Sequence, residues 1–176
     1  MKTTLFAVLI SVSITSSAQM LPVVRGISVS GHPVTLPDQA KGKLAVLVIG
    51  FSRGSSAPAG AWATRIKSDF ARNSNVAIFR LAFLEEVPHM FRGLAMAGVR
   101  KSAGADDQGT VVPVFESEAV FKRLVKYWKP DDAYILVVDR NSEIRLLSSG
   151  DLQAKYVGVQ DCVNQLLGEQ PNPASR

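Results

Sequence analysis

Apolar residues recur along this chain in two spacings, one typical of strands and one typical of helices. Residues 44–49 and 134–138 are continuously apolar and rich in β-branched side chains, as in strands that are covered on both faces of a sheet. Trp62, Ile66 and Phe70 are spaced four apart, which places them on one face of a helix over about residues 56–72. The pattern therefore predicts an α/β domain.

The other segments complete a chain order that alternates strands and helices. A small hairpin is predicted over residues 23–36, a strand over 76–83, a short edge strand over 110–115, a strand over 143–147 and a closing helix from about 150 to 168. Pro88 is predicted to open a helix with an apolar face, and Ser117 to cap another. This order predicts a central mixed β-sheet flanked by helices, preceded by an N-terminal β-hairpin.

The two ends of the chain are predicted to lie outside this domain. Lys2, the apolar segment 5–14 and the small residues up to Ala18 form a signal-peptide pattern with cleavage after Ala18. An uncleaved anchoring segment is the alternative, although the apolar run is shorter than the ~20 residues of a spanning helix. We therefore expect a signal peptide at 1–18, one domain at 19–168, a disordered tail at 169–176, and a periplasmic or secreted location.

Composition narrows the classes of partner. The chain has 176 residues and a formal net charge of +5, and its basic residues are dispersed rather than interleaved with aromatic ones, which argues against nucleic acid. Weak attraction to anionic lipid is one interpretation of the charge, but a solvated helix face explains it better. Nothing in the sequence identifies a cofactor or a small-molecule substrate.

The junction between the first buried strand and the following helix carries the most information. It reads Phe51, four residues, then Ser56-Ala-Pro58-Ala59. This spacing resembles the thioredoxin-like superfamily, in which the same junction reads Phe, four residues and Cys-x-Pro-Cys. The resemblance implies a thioredoxin-like fold in which Ser56 and Ala59 stand in place of the cysteine pair.

The departures from that superfamily argue against dithiol chemistry. A serine hydroxyl does not supply the thiolate that the reaction needs, and Ala59 removes the resolving group. The superfamily places a cis-proline before its second central strand, and Ala133 stands at that position here. The resemblance thus implies a degenerate redox site, or binding edge, formed by Arg53, Ser55, Ser56, Pro58, Ala59 and Ala133.

A narrower resemblance concerns residues 134–145, Gly150 and Trp62. These are similar to the mitochondrial ATP synthase assembly-chaperone family, which has a thioredoxin-like fold without the cysteine pair. The resemblance implies an exported accessory or assembly factor that binds an envelope protein. The alternative is a divergent thioredoxin- or peroxiredoxin-like oxidoreductase that uses Cys162.

Other candidate chemistry is weaker. His32 and His89 lack a metal-binding spacing. The pairs Glu85-Glu86 and Asp106-Asp107 are interpreted as solvated turns or helix starts. The loop 53–56 could hold an anion at a helix N-terminus, although an ordinary cap by Ser55 or Ser56 is favoured. Cys162 shares an apolar helix face and is interpreted as a core residue rather than a reactive thiol. We therefore predict no catalytic residue and no metal site.

Overall fold

The computed structural model describes residues 19–169, which form a sheet with helices on both faces. The strands are β1 (Val24–Ile27), β2 (Pro33–Leu36), β3 (Leu44–Gly50), β4 (Val76–Phe83), β5 (Val111–Val114), β6 (Tyr134–Val138) and β7 (Ile144–Ser149). The helices are α1 (Ser56–Phe70), α2 (Arg92–Ser102), α3 (Glu118–Leu124) and α4 (Leu152–Gly168). The predicted leader, 1–18, and most of the predicted tail, 169–176, lie outside the described residues.

The main sheet is mixed, as predicted. Its five strands lie in the order β5-β4-β3-β6-β7, and β1 and β2 form a separate antiparallel hairpin. Strand β3 pairs parallel with β4 and antiparallel with β6, so the sheet changes direction next to its central strand. Strand β5 contains Pro113 and lies at the edge, where a proline interrupts the fewest ladder hydrogen bonds.

Two hydrophobic cores cover the two faces of the sheet. Val46 and Val48 of β3 face α1 and α4, whereas Leu47 and Ile49 face the hairpin and α3. This division follows from the two-residue period of a strand, which sends successive side chains to opposite faces. Trp62 is fully buried against α4, and its indole N–H donates to the Gly150 carbonyl at 3.0 Å, so the predicted helix face that carries Trp62 lies in the core.

Helix α2 differs from its prediction. Pro88 precedes a short 3₁₀ turn, His89–Phe91, and the α-helix begins only at Arg92. The apolar residues of the turn and of the start of α2 are not packed into the core, since Met90 is 82%, Phe91 54% and Leu94 72% exposed. The amphipathic spacing is present, but no described element lies over this face.

Helix α3 is capped differently from the prediction. Ser117 is the N-cap residue, but its side chain caps nothing, and the Glu118 N–H donates to the Glu85 carboxylate at 2.7 Å instead. The helix ends at Leu124, so Trp128 lies beyond it and is largely exposed. Within residues 19–169, no helix is both long enough and apolar enough to cross a bilayer.

Candidate functional site

The loop after β3 is held by serine side chains and by the turn that precedes β6. Ser55 is fully buried; its hydroxyl donates to the Ser52 carbonyl at 2.8 Å and accepts from the Ser52 N–H at 3.2 Å. The Ser52 hydroxyl donates to the Asp131 carboxylate at 2.8 Å. These bonds join the end of the central strand to the segment that carries Ala133.

Two glycines allow this close packing. A Cβ on Gly50 would lie 2.6 Å from the Ser55 hydroxyl, and a Cβ on Gly54 would overlap the Asp131 carboxylate. The missing side chain at Gly50 therefore makes room for the buried Ser55 hydroxyl, and the missing side chain at Gly54 lets the loop lie against Asp131 in the turn before β6.

The prediction that the side chain of Ser55 or Ser56 caps α1 is wrong. Ser55 is the N-cap residue of α1, yet its side chain bonds the loop and accepts from no helix N–H. The reason is that Ser52 offers both a donor and an acceptor within reach of the same hydroxyl.

The degenerate motif occupies the first turn of α1. Ser56 is half-buried, Ala59 is buried, and Pro58 lies where a helix tolerates a missing N–H. Arg53 is exposed at the tip of the loop. The structure thus places a hydroxyl and a methyl group at a helix N-terminus, where the helix dipole would favour a negative charge.

Ala133 is buried at the start of β6, in the same hydrophobic cluster as Ala59. Its carbonyl accepts from the Gly150 N–H at 3.2 Å. Within residues 19–169 the only cis peptide bond is Leu36–Pro37, so the bond before Ala133 is trans. The structure therefore brings the predicted edge residues to one end of the sheet.

A groove of about 690 Å³ opens beside this edge, between the start of α1, the end of β4 and α2. Its walls are mainly apolar and include Phe51, Phe83, Leu84, Val87 and Phe91. Ser56 and Ala59 lie on the α1 side of the groove.

Arg80 also lines this groove, although no role for it was predicted from the sequence. It is only 8% exposed and donates to the Ser102 carbonyl at 3.1 Å and the Ser102 hydroxyl at 2.9 Å. Burial lowers the pKa of Arg80, while the charge of Asp107 acts in the opposite direction. A lone cation inside the apolar segment 76–83 was the signal that could have revealed it.

A charged cluster holds the turn that follows β4. Glu118 is 2% exposed; one carboxylate oxygen accepts from the Glu85 N–H at 3.1 Å, and the other pairs with Lys122 at 2.8 Å. Lys122 also pairs with Glu86 at 2.7 Å. The interpretation of Glu85-Glu86 as a solvated turn is therefore incomplete, because Glu85 caps α3 and Glu86 shares an ion pair.

Cys162 lies at the other end of the sheet. It is one turn before Leu166 in α4, and the Leu166 carbonyl accepts a hydrogen bond from Arg140 at 3.0 Å. Arg140 follows the end of β6, and that end of β6 pairs with the start of β3. Burial raises the pKa of the Cys162 thiol, although the charge of Arg145 acts to lower it. Cys162 is partly buried against the α1–α4 core.

Arg140 and Arg145 have structural partners at that end. Arg140 donates to carbonyls at the end of α4, and Arg145 pairs with Asp139 at 3.1 Å. Both line a second cavity, of about 930 Å³, with Lys41 and Glu169. Within residues 19–169, no group of three or more histidine, cysteine or acidic side chains is arranged to hold a metal ion.

Comparisons with known proteins identify the fold. No protein-family model matches the chain, and no curated protein matches its sequence. Among solved structures, a putative thiol:disulfide interchange protein DsbE from Chlorobium tepidum is similar, with 15% identity, a TM-score of 0.64, and coverage of 86% of this chain and 97% of that one.

Two further solved structures are similar to the chain over most of its length. A putative electron transfer protein from Aquifex aeolicus VF5 has 13% identity, a TM-score of 0.62, and coverage of 86% and 98%. An exposed lipoprotein thioredoxin from Streptococcus pneumoniae strain TIGR4 has 12% identity, a TM-score of 0.56, and coverage of 81% and 99%. The chain therefore has the predicted thioredoxin-like fold, and its single cysteine is consistent with a missing pair. The narrower resemblance to ATP synthase assembly chaperones gains no support.

Proposed function

We propose that this chain is an exported thioredoxin-like protein that binds a protein partner and carries out no dithiol chemistry. The observation that carries the proposal is the pair Ser56 and Ala59 at the first turn of α1, with Cys162 at the opposite end of the sheet. Thiol–disulfide exchange requires a thiolate, and neither a hydroxyl nor a methyl group supplies one. The edge formed by the degenerate motif then serves as a binding surface for the partner, in an accessory or chaperone-like role.

The export part of the proposal depends on the leader pattern at residues 1–18, with cleavage after Ala18. One solved neighbour of the same fold is described as an exposed lipoprotein. These two observations support a periplasmic or secreted location, and N-terminal sequencing of the protein from its native host tests the cleavage.

The partner site is tested by site-specific capture from the envelope fraction of the native host. Arg53 is exposed at the loop tip, so Arg53→Asp reverses a charge there and leaves the buried Ser55 bonds intact. We expect a partner recovered with the wild-type protein to be lost or at least about tenfold reduced with Arg53→Asp, since charge reversal at an interface costs about 1.4 kcal/mol or more.

The matched control is Arg123→Asp, an equal charge change at an exposed position of α3. It should leave recovery unchanged. Equal recovery with both variants, or no protein retained above background by the wild type, would contradict binding at this edge.

The alternative function, one-thiol chemistry by Cys162, makes a different prediction. Because burial raises the pKa of this thiol above its ordinary value of about 8.5, the thiol form should dominate at pH 7. We expect iodoacetamide to label folded Cys162 at least about tenfold more slowly than the same protein in urea, with the rate rising only above about pH 8.5.

Labelling of the folded protein across pH 5–10, followed by mass spectrometry, measures this pKa. The sequence contains one cysteine, so the signal needs no assignment. An apparent pKa below about 8.5 with fast labelling at pH 7 would favour the oxidoreductase alternative.

A further inference from the structure

The groove beside the degenerate motif has an uneven distribution of charge along its length. One end is formed mainly by Leu84, Val87, Phe91 and Leu94, which carry no polar side-chain atoms, and Ser52, Arg53 and Ser56 border it on the α1 side. The other end is formed by Arg80, Lys101 and Ser102, at the carboxyl end of α2. A ligand that fits this groove would be apolar over most of its length and anionic at one end.

Arg80 is under-paired for a buried cation. A guanidinium carries five N–H donors, and the two hydrogen bonds of Arg80 both go to Ser102. Within residues 19–169, no carboxylate forms an ion pair with Arg80. The nearest compensating charge is Asp107, which is already paired with Lys67.

Burying a charge without a counter-ion is costly. A carboxylate in the groove would supply that counter-ion, and the flat guanidinium fork matches a carboxylate with two parallel hydrogen bonds. The position therefore favours an anionic ligand head at Arg80.

The rest of the groove favours a hydrocarbon chain over a peptide. A peptide brings an N–H and a C=O with every residue, and each needs a partner once water is removed. The hydroxyls of Ser55 and Ser52, which also line the groove, are already bonded to Ser52 and Asp131. Ser56 and Arg53 lie at the start of α1 and in the loop before it, and the wall formed by Val87, Phe91 and Leu94 offers no side-chain donor or acceptor. The volume of about 690 Å³ lies within the roughly 300–1,000 Å³ of pockets that hold small molecules.

We propose that this groove binds a free long-chain fatty acid, with the carboxylate on Arg80 and the acyl chain along Val87, Phe91 and Leu94. The exposed apolar residues Met90 and Leu94 lie on the same segment that forms the outer wall. This inference concerns a ligand other than the proposed protein partner, and it can fail while the capture result at Arg53 stands.

The experiment measures binding of monomeric palmitate to the purified mature protein by displacement of the fluorescent fatty acid cis-parinarate. We expect saturable binding at one site, and methyl palmitate, which lacks the carboxylate, to bind at least about tenfold more weakly. Arg80→Met should weaken the binding of palmitate at least about tenfold, because it removes a charge-assisted contact. The variant should then bind palmitate and its methyl ester with the same affinity.

Two further variants separate the head contact from the groove itself. Gly98→Phe should weaken both acid and ester, because Gly98 lines the groove and a Cβ there meets nothing within 4 Å. Arg100→Met removes a charge from the exposed face of α2, outside the groove lining, and should change neither affinity. Circular dichroism confirms that each variant is folded.

Several results would overturn the proposal. They are no saturable palmitate binding by the wild type, equal affinity for acid and ester, or unchanged affinity in a folded Arg80→Met variant. Binding to phosphatidylglycerol vesicles without binding to monomeric palmitate would also overturn it, because that result indicates a lipid surface contact. If Arg80→Met does not fold, the ester comparison and Gly98→Phe still decide the question.

Discussion

A disulfide is expected to form within one chain when Ser56 and Ala59 are both replaced by cysteine in a Cys162→Ala background. Both positions lie in the first turn of α1, and residues three apart in a helix have Cα atoms about 5 Å apart. That separation is inside the range of roughly 4.4–6.8 Å that disulfides occupy. Thiol counting with and without reductant, on monomeric protein, measures the outcome.

The introduced thiol at position 56 should also be unusually acidic. Helix N-termini favour negative charge, and position 56 is half-buried at such a terminus. In the Ser56→Cys, Cys162→Ala variant we expect an apparent pKa at least about one unit below the ordinary value of about 8.5. The pH dependence of alkylation gives this value directly.

A pair with the same spacing elsewhere in α1 is the matched control. Ala61→Cys with Thr64→Cys introduces two exposed thiols further from the helix start, where we expect ordinary pKa values. If positions 56 and 59 form no disulfide, or if the thiol at 56 titrates like that at 61, this helix tip lacks the geometry that the motif implies. The interpretation of this helix tip as a degenerate redox site would then be wrong.

Replacing Glu118 with alanine is expected to cost about 3–5 kcal/mol of unfolding free energy. The change removes the buried partner of Lys122 at 2.8 Å and the acceptor of the Glu85 N–H at 3.1 Å. Lys122 would keep only Glu86, which is 73% exposed and pairs weakly because water screens it. Urea unfolding followed by circular dichroism measures the loss.

The pH dependence of this effect has a defined sign. Partial burial disfavours the charged form of Lys122, but hydrogen bonds to Glu118 and Glu86 outweigh it, and the pKa of Lys122 is raised. A raised pKa gives stability that is complete below the unfolded value of about 10.4 and is lost only above it. The cost of Glu118→Ala should therefore change little between pH 6 and pH 9.

Two variants check this explanation. Glu86→Ala removes the exposed partner and should cost less than about 1 kcal/mol. Glu118→Leu with Lys122→Met removes both buried charges and should recover most of the stability. A cost below about 1 kcal/mol for Glu118→Ala would mean that the cluster does not fix the turn after β4, and thus does not position the wall of the groove at Val87.

Much of the fold was predictable because its signals are local. The continuous apolar run in β3 and the four-residue spacing of Trp62, Ile66 and Phe70 each lie within one element. The edge position of β5 followed from Pro113, which cannot donate to a ladder. These patterns gave the correct element order and the mixed sheet.

The candidate site was predictable only in part. The positions of Ser56, Pro58 and Ala59 at the start of α1 followed from a local motif. Arg80 did not, because a cation in a strand becomes informative only when burial and the absence of a paired carboxylate are known. Its partner, Ser102, is 22 residues away.

The amino-acid sequence by itself determined the strands, the main helices and the loss of both cysteines from the redox motif, since each depends on residues that are close along the chain. The tertiary structure alone decided that Met90 and Leu94 are exposed, that Glu85 rather than Ser117 caps α3, and that the Ser55 hydroxyl bonds to Ser52 in the loop. The physical reason is that burial and hydrogen-bond choice depend on which distant surfaces meet, and a hydroxyl or a cation takes the partner that packing brings within about 3 Å.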